Sequence, residues 1–205
     1  MAQGSSRGRG EQVIVEHGFA DADRPLIARL YWGAFGAKLG RVMGPERKAL
    51  AYFEKVLSPD HAICVRRRDG ALLGVAGFKT WEGALVGGGF REVRQVYGLI
   101  GAAWRIGLLS ALESDTENAR FLMDGIFVAP EARGLGVGTR LLDAIAAEAV
   151  ARGYREVRLD VIDSNTRAKS LYERCGFVVV AVQDIGALRH VFGFRSATTM
   201  VRQVA

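Results

Sequence analysis

The run Arg133-Gly134-Leu135-Gly136-Val137-Gly138 sets three glycines and an arginine between an apolar stretch, 122–128, and an amphipathic one. Such a turn presents free backbone N–H groups at a helix N-terminus, where a phosphate group binds readily. Glycine lets the anion approach where a Cβ would block it, and the helix dipole adds attraction. The stretch before the turn holds a single acid, Asp124, among apolar neighbours. A phosphate cradle beside a lone carboxylate suggests an enzyme that holds a phosphorylated cofactor against a substrate. Further on, Asn165, Ala168 and Tyr172 are spaced i, i+3, i+7 and so share one face of a helix, offering an amide, a small side chain and a phenol.

The elements that must position these groups are legible in outline. Val13-Ile14-Val15 reads as a short strand after a flexible arm, 1–10. Asp21 to Arg24 supplies cap chemistry and Pro25 suits a first helical turn, with Leu26, Leu30 and Ala34 at helical spacing. Gly44-Pro45-Glu46 starts a second helix that runs to about Val56 and stops at Ser58-Pro59. A hairpin follows, 61–67 and 71–80 about Asp69-Gly70, with Arg66-Arg67-Arg68 as a solvated corner. After Gly87-Gly88-Gly89, residues 93–112 read as a helix with Val96, Ile100, Trp104 and Leu108 forming an apolar face in search of a partner. Glu113, Asp115 and Glu117 form an acidic loop. Then come a strand 121–128, the glycine turn, and a helix to about Arg152 that buries Val137, Leu141, Ile145 and Ala149. A strand 156–161, a short helix capped by Asp163 or Ser164, a strand 177–182, a loop 183–196 and a strand 197–204 complete the chain. The expected fold is α/β (α+β): one mixed, mostly antiparallel sheet of six or seven strands with helices on both faces.

A chain of 205 residues forms one domain and buries about 70% of its unfolded surface, so it needs no disulfide or metal staple. The net charge of +6 suits an anionic cofactor or simple solubility. Its basic residues are scattered and no zinc-finger, helix-turn-helix or RNA-binding signature occurs, which argues against a nucleic-acid partner. Cys64 and Cys175 lack metal-ligand spacing and read as small buried thiols; no metal is expected. The polar N-terminus and the lack of a long apolar run argue against a signal peptide and a membrane span, so the expected location is cytoplasmic.

Three phosphate-binding patterns compete. The mononucleotide P-loop has no match. The dinucleotide fingerprint fits Gly134 and Gly136 but puts its third glycine on Thr139, and Asp160 would have to imitate the ribose-binding acid. The third, R/Q-x-x-G-x-G/A, fits Arg133 to Gly138, and here the chain resembles the GNAT superfamily of acyl-CoA-dependent N-acyltransferases. A second family pattern, N-x-x-A-x-x-x-Y-x-x-x-G-F, occurs about 30 residues later at Asn165, Ala168, Tyr172, Gly176 and Phe177. The resemblance covers 60–82 and 121–205 well and 11–57 in outline. It implies a GNAT-like domain over 11–205, with 83–120 a family-variable helical insertion.

The resemblance also implies roles. Acetyl-CoA is the expected cofactor. The backbone of Gly134, Leu135, Gly136, Val137, Gly138 and Thr139 would hold its pyrophosphate, with charge added by Arg133 and Arg140. The strand at Ile126, Phe127 and Val128 would splay from its neighbour and bond the pantetheine arm, with the Val128 N–H facing the thioester carbonyl. Ala168 would let the arm approach the second helix. Asn165 would bond a pantetheine amide or else cap its helix. Tyr172 would protonate the departing thiolate, unless it is a core aromatic with a bonded hydroxyl. Asp124 stands where the family more often has Glu; it would act as base or orient the amine, directly or through water, or be a salt-bridged strand residue. His190 reads as an exposed loop histidine, with a place in the acceptor pocket as its alternative. The implied activity is transfer of an acetyl group to a primary amine by direct attack in a ternary complex. The alternatives are an acyl-CoA-binding module without turnover and a protein N-terminal acetyltransferase. The acceptor is a small-molecule or peptide amine, and a homodimer is one possible assembly.

Overall fold

The computed structural model describes residues 13–110 and 120–204. The expected N-terminal arm and the acidic loop with Glu113, Asp115 and Glu117 lie outside them. The chain opens with β1 (Val13–His17), α1 (Arg24–Met43) and α2 (Glu46–Val56). Pro25 sits in the first turn of α1 and Pro45 precedes α2, places where a missing N–H costs nothing. The hairpin β2 (Ala62–Arg67) and β3 (Leu72–Thr80) closes with Gly70 N donating to the Arg67 carbonyl and Ala71 N to the Asp69 carboxylate. β4 (Gly83–Ala84), α3 (Phe90–Ser110) and β5 (Phe121–Val128) follow. Then come α4 (Val137–Ala151), β6 (Glu156–Ile162), α5 (Thr166–Arg174), β7 (Val178–Asp184), α6 (Arg189–Phe192) and β8 (Ser196–Gln203).

The main sheet runs β1-β2-β3-β5-β6-β8-β7, with β4 added on β3. Every pairing is antiparallel except β5 with β6. That parallel pair joins only Phe121 to Val157 and Leu122 to Arg158, and the strands part beyond it. β6 meanwhile pairs with β8 along its full length, from Glu156–Gln203 to Ile162–Ala197. The mixed sheet with helices on both faces is as the sequence implied.

Alternate side chains of each strand point to opposite faces, and two cores result. One holds Cys64, Val75 and Phe127 against α1, α2, α3 and the α6 segment, through Ile27, Phe53, Tyr97 and Phe192. The other holds Ile63, Val65 and Phe78 against α4 and α5, through Val137, Leu141, Ile145, Ala149 and Tyr172.

Several local expectations change. On α1, Leu26 and Ala34 face solvent; the inward stripe is Ile27, Tyr31, Phe35 and Val42. Both stripes have helical spacing, and the inward one carries the aromatic rings that pack into the core. In α3 a non-helical Gly98 (φ 76°) kinks the helix, so Val93, Tyr97 and Ala102 turn inward while Ile100 is 84% exposed and Trp104 43%. The Tyr97 hydroxyl donates to the Met43 carbonyl and Arg105 lies over its ring, pinning α3 to the α1–α2 junction. Neither Asp163 nor Ser164 caps α5; Asn165 does. Residues 183–196 are not a plain loop but hold α6. Arg66 is no solvated corner: its guanidinium bridges Glu16 and Asp23 and ties β1 and α1 to the hairpin.

Candidate active site

The glycine turn leads into α4 as the spacing suggested. Gly136, the residue before the helix, adopts φ 78°, a conformation in which a side chain would be strained. The first amide of this segment to find a helical carbonyl is that of Arg140, which donates to Gly136 at 3.1 Å. The N–H groups of Gly136, Val137, Gly138 and Thr139 therefore remain available, as those of a first helical turn do. Leu135, Gly136 and Thr139 are exposed, and so are Arg133 and Arg140. Gly138 brings this turn against α5, for a Cβ there would come within 2.9 Å of Leu171. The two sequence motifs thus meet in space.

The strand before the turn offers an open edge. Val128 pairs with Gly74, Phe127 with Val75 and Ile126 with Ala76 on β3, while β6 has already diverged. The Ala129 N–H donates to Leu73 at 2.9 Å, so by alternation the main-chain groups of Phe127 face β3 and those of Ile126 and Val128 face the gap. An extended amide-bearing arm could pair there as a surrogate strand.

Asp124 occupies a bulge. Gly77 opposes Gly125 and Phe78 opposes Met123, leaving Asp124 as the extra residue and its side chain exposed. Its neighbourhood was not foreseen. Lys38 of α1 is partly buried; burial lowers its pKa, while Asp124 and then Asp160 draw it back up. Burial first, then Asp124 and Tyr52, push the Tyr31 hydroxyl up. Asp160 of β6 accepts from the Thr199 hydroxyl at 2.5 Å. Asp124 and Asp160 thus lie within electrostatic reach of Lys38, on the strands β5 and β6 that part beyond Leu122. The signal was a cation in an apolar stripe: Tyr31, Phe35, Lys38 and Val42 share one face of α1.

Tyr172 lies in the opposite core, 6% exposed and packed on Phe177 with ring centroids 5.9 Å apart. Burial alone pushes its pKa up, so its hydroxyl keeps its proton throughout the physiological range. No hydrogen bond to that hydroxyl from another side chain or the backbone occurs among the described residues. The Asn165 carbonyl oxygen accepts from Ala168 N at 3.2 Å, which makes it a cap; its amide NH2 is still free to donate outward. His190 is exposed on α6, with its carbonyl accepting from Arg41. Cys64 and Cys175 are free thiols, the first pushed up to about 12 by burial.

Comparison with known proteins agrees with this geometry. The profile of the Acetyltransferase (GNAT) family matches residues 25–177. A thialysine N-epsilon-acetyltransferase from Bos taurus is 32% identical over 83 residues, 40% of this chain and 46% of that protein. A mycothiol acetyltransferase from Geodermatophilus obscurus is 47% identical over 53 residues, 26% of this chain and 17% of that protein. The chain thus spans less than half the length of either relative. Among solved structures, an acetyltransferase superposes with a TM-score of 0.61 at 20% identity, covering 94% of this chain and all of that one. A GCN5-related N-acetyltransferase from Kribbella flavida gives 0.58 at 18% identity over 93% and 97% of the two chains, so both share the fold. With the parted strands, the glycine turn and the helix behind it all inside the matched span, the chain belongs to the GNAT acetyltransferase family.

Proposed function

We propose that this protein moves the acetyl group of acetyl-CoA onto a primary amine by direct attack in a ternary complex. The observation that carries the reading is the parting of β5 from β6 after Leu122, beside a helix start with several unengaged amides. The residues fit coenzyme A. The amides of Gly136 to Thr139, with Gly134, Leu135, Arg133 and Arg140 about them, suit a diphosphate. The open edge at Ile126 and Val128 suits the amides of a pantetheine arm, with Phe127 holding the strand to β3, Ala168 leaving room and the Asn165 NH2 as a further donor. The bound cofactor supplies an acetyl group activated as a thioester. The Val128 N–H would polarise the carbonyl. Tyr172 would hold a proton at Oη for the departing sulfur. Asp124 would orient the attacking amine or accept its proton, directly or through water. The bovine relative is named for acetylating an amine nitrogen, which favours an amine acceptor here.

Calorimetric titration with acetyl-CoA is the direct test. Saturable heat with one site is expected; none from folded protein would overturn the cofactor assignment. A thiol-release screen across amines then tests turnover. Binding with no release from any amine would make the protein an acyl-CoA-binding module instead.

A further inference from the structure

An open pocket of about 340 Å³ lies between the end of α1 and the α6 segment, lined by Arg41, Arg189, His190, Gly193, Phe194 and Arg195. Three of the six are arginines. None of the three has a carboxylate partner among the described residues. Arg41 donates to the His190 carbonyl, holding α6 against α1. The acids that approach this segment are turned to the main chain: Asp163, between β6 and α5, accepts from Arg195 N at 3.2 Å, and Asp184, at the end of β7, accepts from Gly186 N at 2.6 Å. All three arginines are exposed and together give the pocket a positive rim, and guanidinium matches carboxylate or phosphate geometry.

One lining residue of the pocket, Phe194, also stands next to Lys38 of the candidate active site, whose Nζ lies 5.5 Å from the centre of that ring. Lys38 is in turn within electrostatic reach of Asp124 and Asp160. Lys38 and Arg41 are three residues apart on α1, so they are neighbours on its surface. Phe192 and Phe194 belong to the core on the α1 face, whereas the glycine turn belongs with the core on the α4 face. An acceptor in the pocket would therefore reach the gap between β5 and β6 from the side opposite the cofactor's diphosphate.

We infer that the pocket of Arg41, Arg189 and Arg195 binds an anionic group, carboxylate or phosphate, at the far end of the amine acceptor, whose amino group lies by Asp124. The acceptor is thus an amine that also carries a negative charge. This rests on the transferase reading.

The test measures thiol release from acetyl-CoA with ω-amino acids and with n-alkylamines of matching length, and with ethanolamine phosphate against ethanolamine. The carboxylate and phosphate arms decide which anion is preferred. The acid-bearing member of at least one pair is expected to have the higher kcat/KM. In Arg189→Ser/Arg195→Ser that preference is expected to fall at least about tenfold through KM, as loss of a charge-assisted contact requires. The charge-matched Arg47→Ser/Arg94→Ser should keep the preference. Equal or better use of the neutral amines, or a preference that survives the pocket substitutions, overturns the inference. If no amine turns over, calorimetry decides: the coenzyme A-loaded protein should bind N-acetylated ω-amino acids more tightly than the matching N-alkylacetamides, and equal affinity overturns the inference. Failure to bind acetyl-CoA at all overturns the transferase reading instead. The same N-acetylated acids titrated into the unliganded protein then settle the pocket on its own.

Discussion

At the level of single residues, the proposed chemistry divides between two faces of one sheet. Tyr172 sits in the α4–α5 core with its hydroxyl kept protonated by burial. Tyr172→Phe keeps the ring and its packing on Phe177 but removes the proton. Turnover should fall about 100-fold or more while the acetyl-CoA affinity measured by calorimetry is retained; unchanged turnover would end the acid role. On the other face, Lys38 is held down by burial and drawn up by Asp124 and Asp160. Asp124→Asn removes one of the two attractions, so the Lys38 pKa should drop further. A carbon-detected NMR titration of labelled lysine side chains would show the direction, and an unchanged value would mean that the two groups do not interact.

Among the elements, α4 does two jobs. Its N-terminus offers the amides, and its C-terminal half is clamped to the sheet. Gly136→Ala forces a side chain into φ 78°, at a cost of about 1–2 kcal/mol. The strain tilts the donor array, so acetyl-CoA binding should weaken more than the folded state does, as calorimetry and thermal unfolding together would show. At the other end Glu148 meets His17 at 3.2 Å and Arg152 at 2.5 Å, and Arg152 lies 5.1 Å over the Phe78 ring. Burial pushes the Glu148 carboxyl up, but the Arg152 hydrogen bond and the charges of His17 and Arg152 win and hold it below its ordinary value. A carboxyl lowered on folding stabilises the protein above its unfolded pKa of about 4.3. That contribution is lost as the pH falls through the folded value. Urea midpoints followed downward from neutral pH should therefore fall less steeply in Glu148→Gln than in the parent protein.

For the molecule as a whole, the sheet is a partition between two cores, and the gap between β5 and β6 is the break in it. Phe78, fully buried, packs on Phe121 with ring centroids 5.2 Å apart. Phe78→Ala should cost about 3–5 kcal/mol of unfolding free energy by urea titration. Filling the gap should act in the opposite sense. Acetyl-CoA at 100 times its dissociation constant should add about 2.7 kcal/mol to stability. The same addition to the Phe78→Ala protein tests whether the cofactor site survives a weakened core.

Much of this protein is written in short stretches of its chain. The glycine turn, the Asp69-Gly70 hairpin, the buried face of α4 and the order of strands and helices follow from local periodicity and turn chemistry. Each needs only residues within a few positions of one another. The cofactor motif could be read for the same reason, being a run of glycines at a helix start. Other features come from residues far apart. The inward faces of α1 and α3 depend on what packs against them, and at α3 on one kinked glycine. The bulge that re-aims Asp124 depends on β3, and the gap beside it opens because β5 and β6 part after Leu122 while β6 stays paired with β8 on its other edge. Lys38 meets Asp124 and Asp160, and Arg41 meets Arg189 and Arg195, only after the chain has closed loops of about a hundred residues or more. Loop closure carries no local signature, since its cost varies slowly with length and not with residue type. The cofactor side of the site was therefore open to reading in the chain, and the acceptor side had to be assembled by folding.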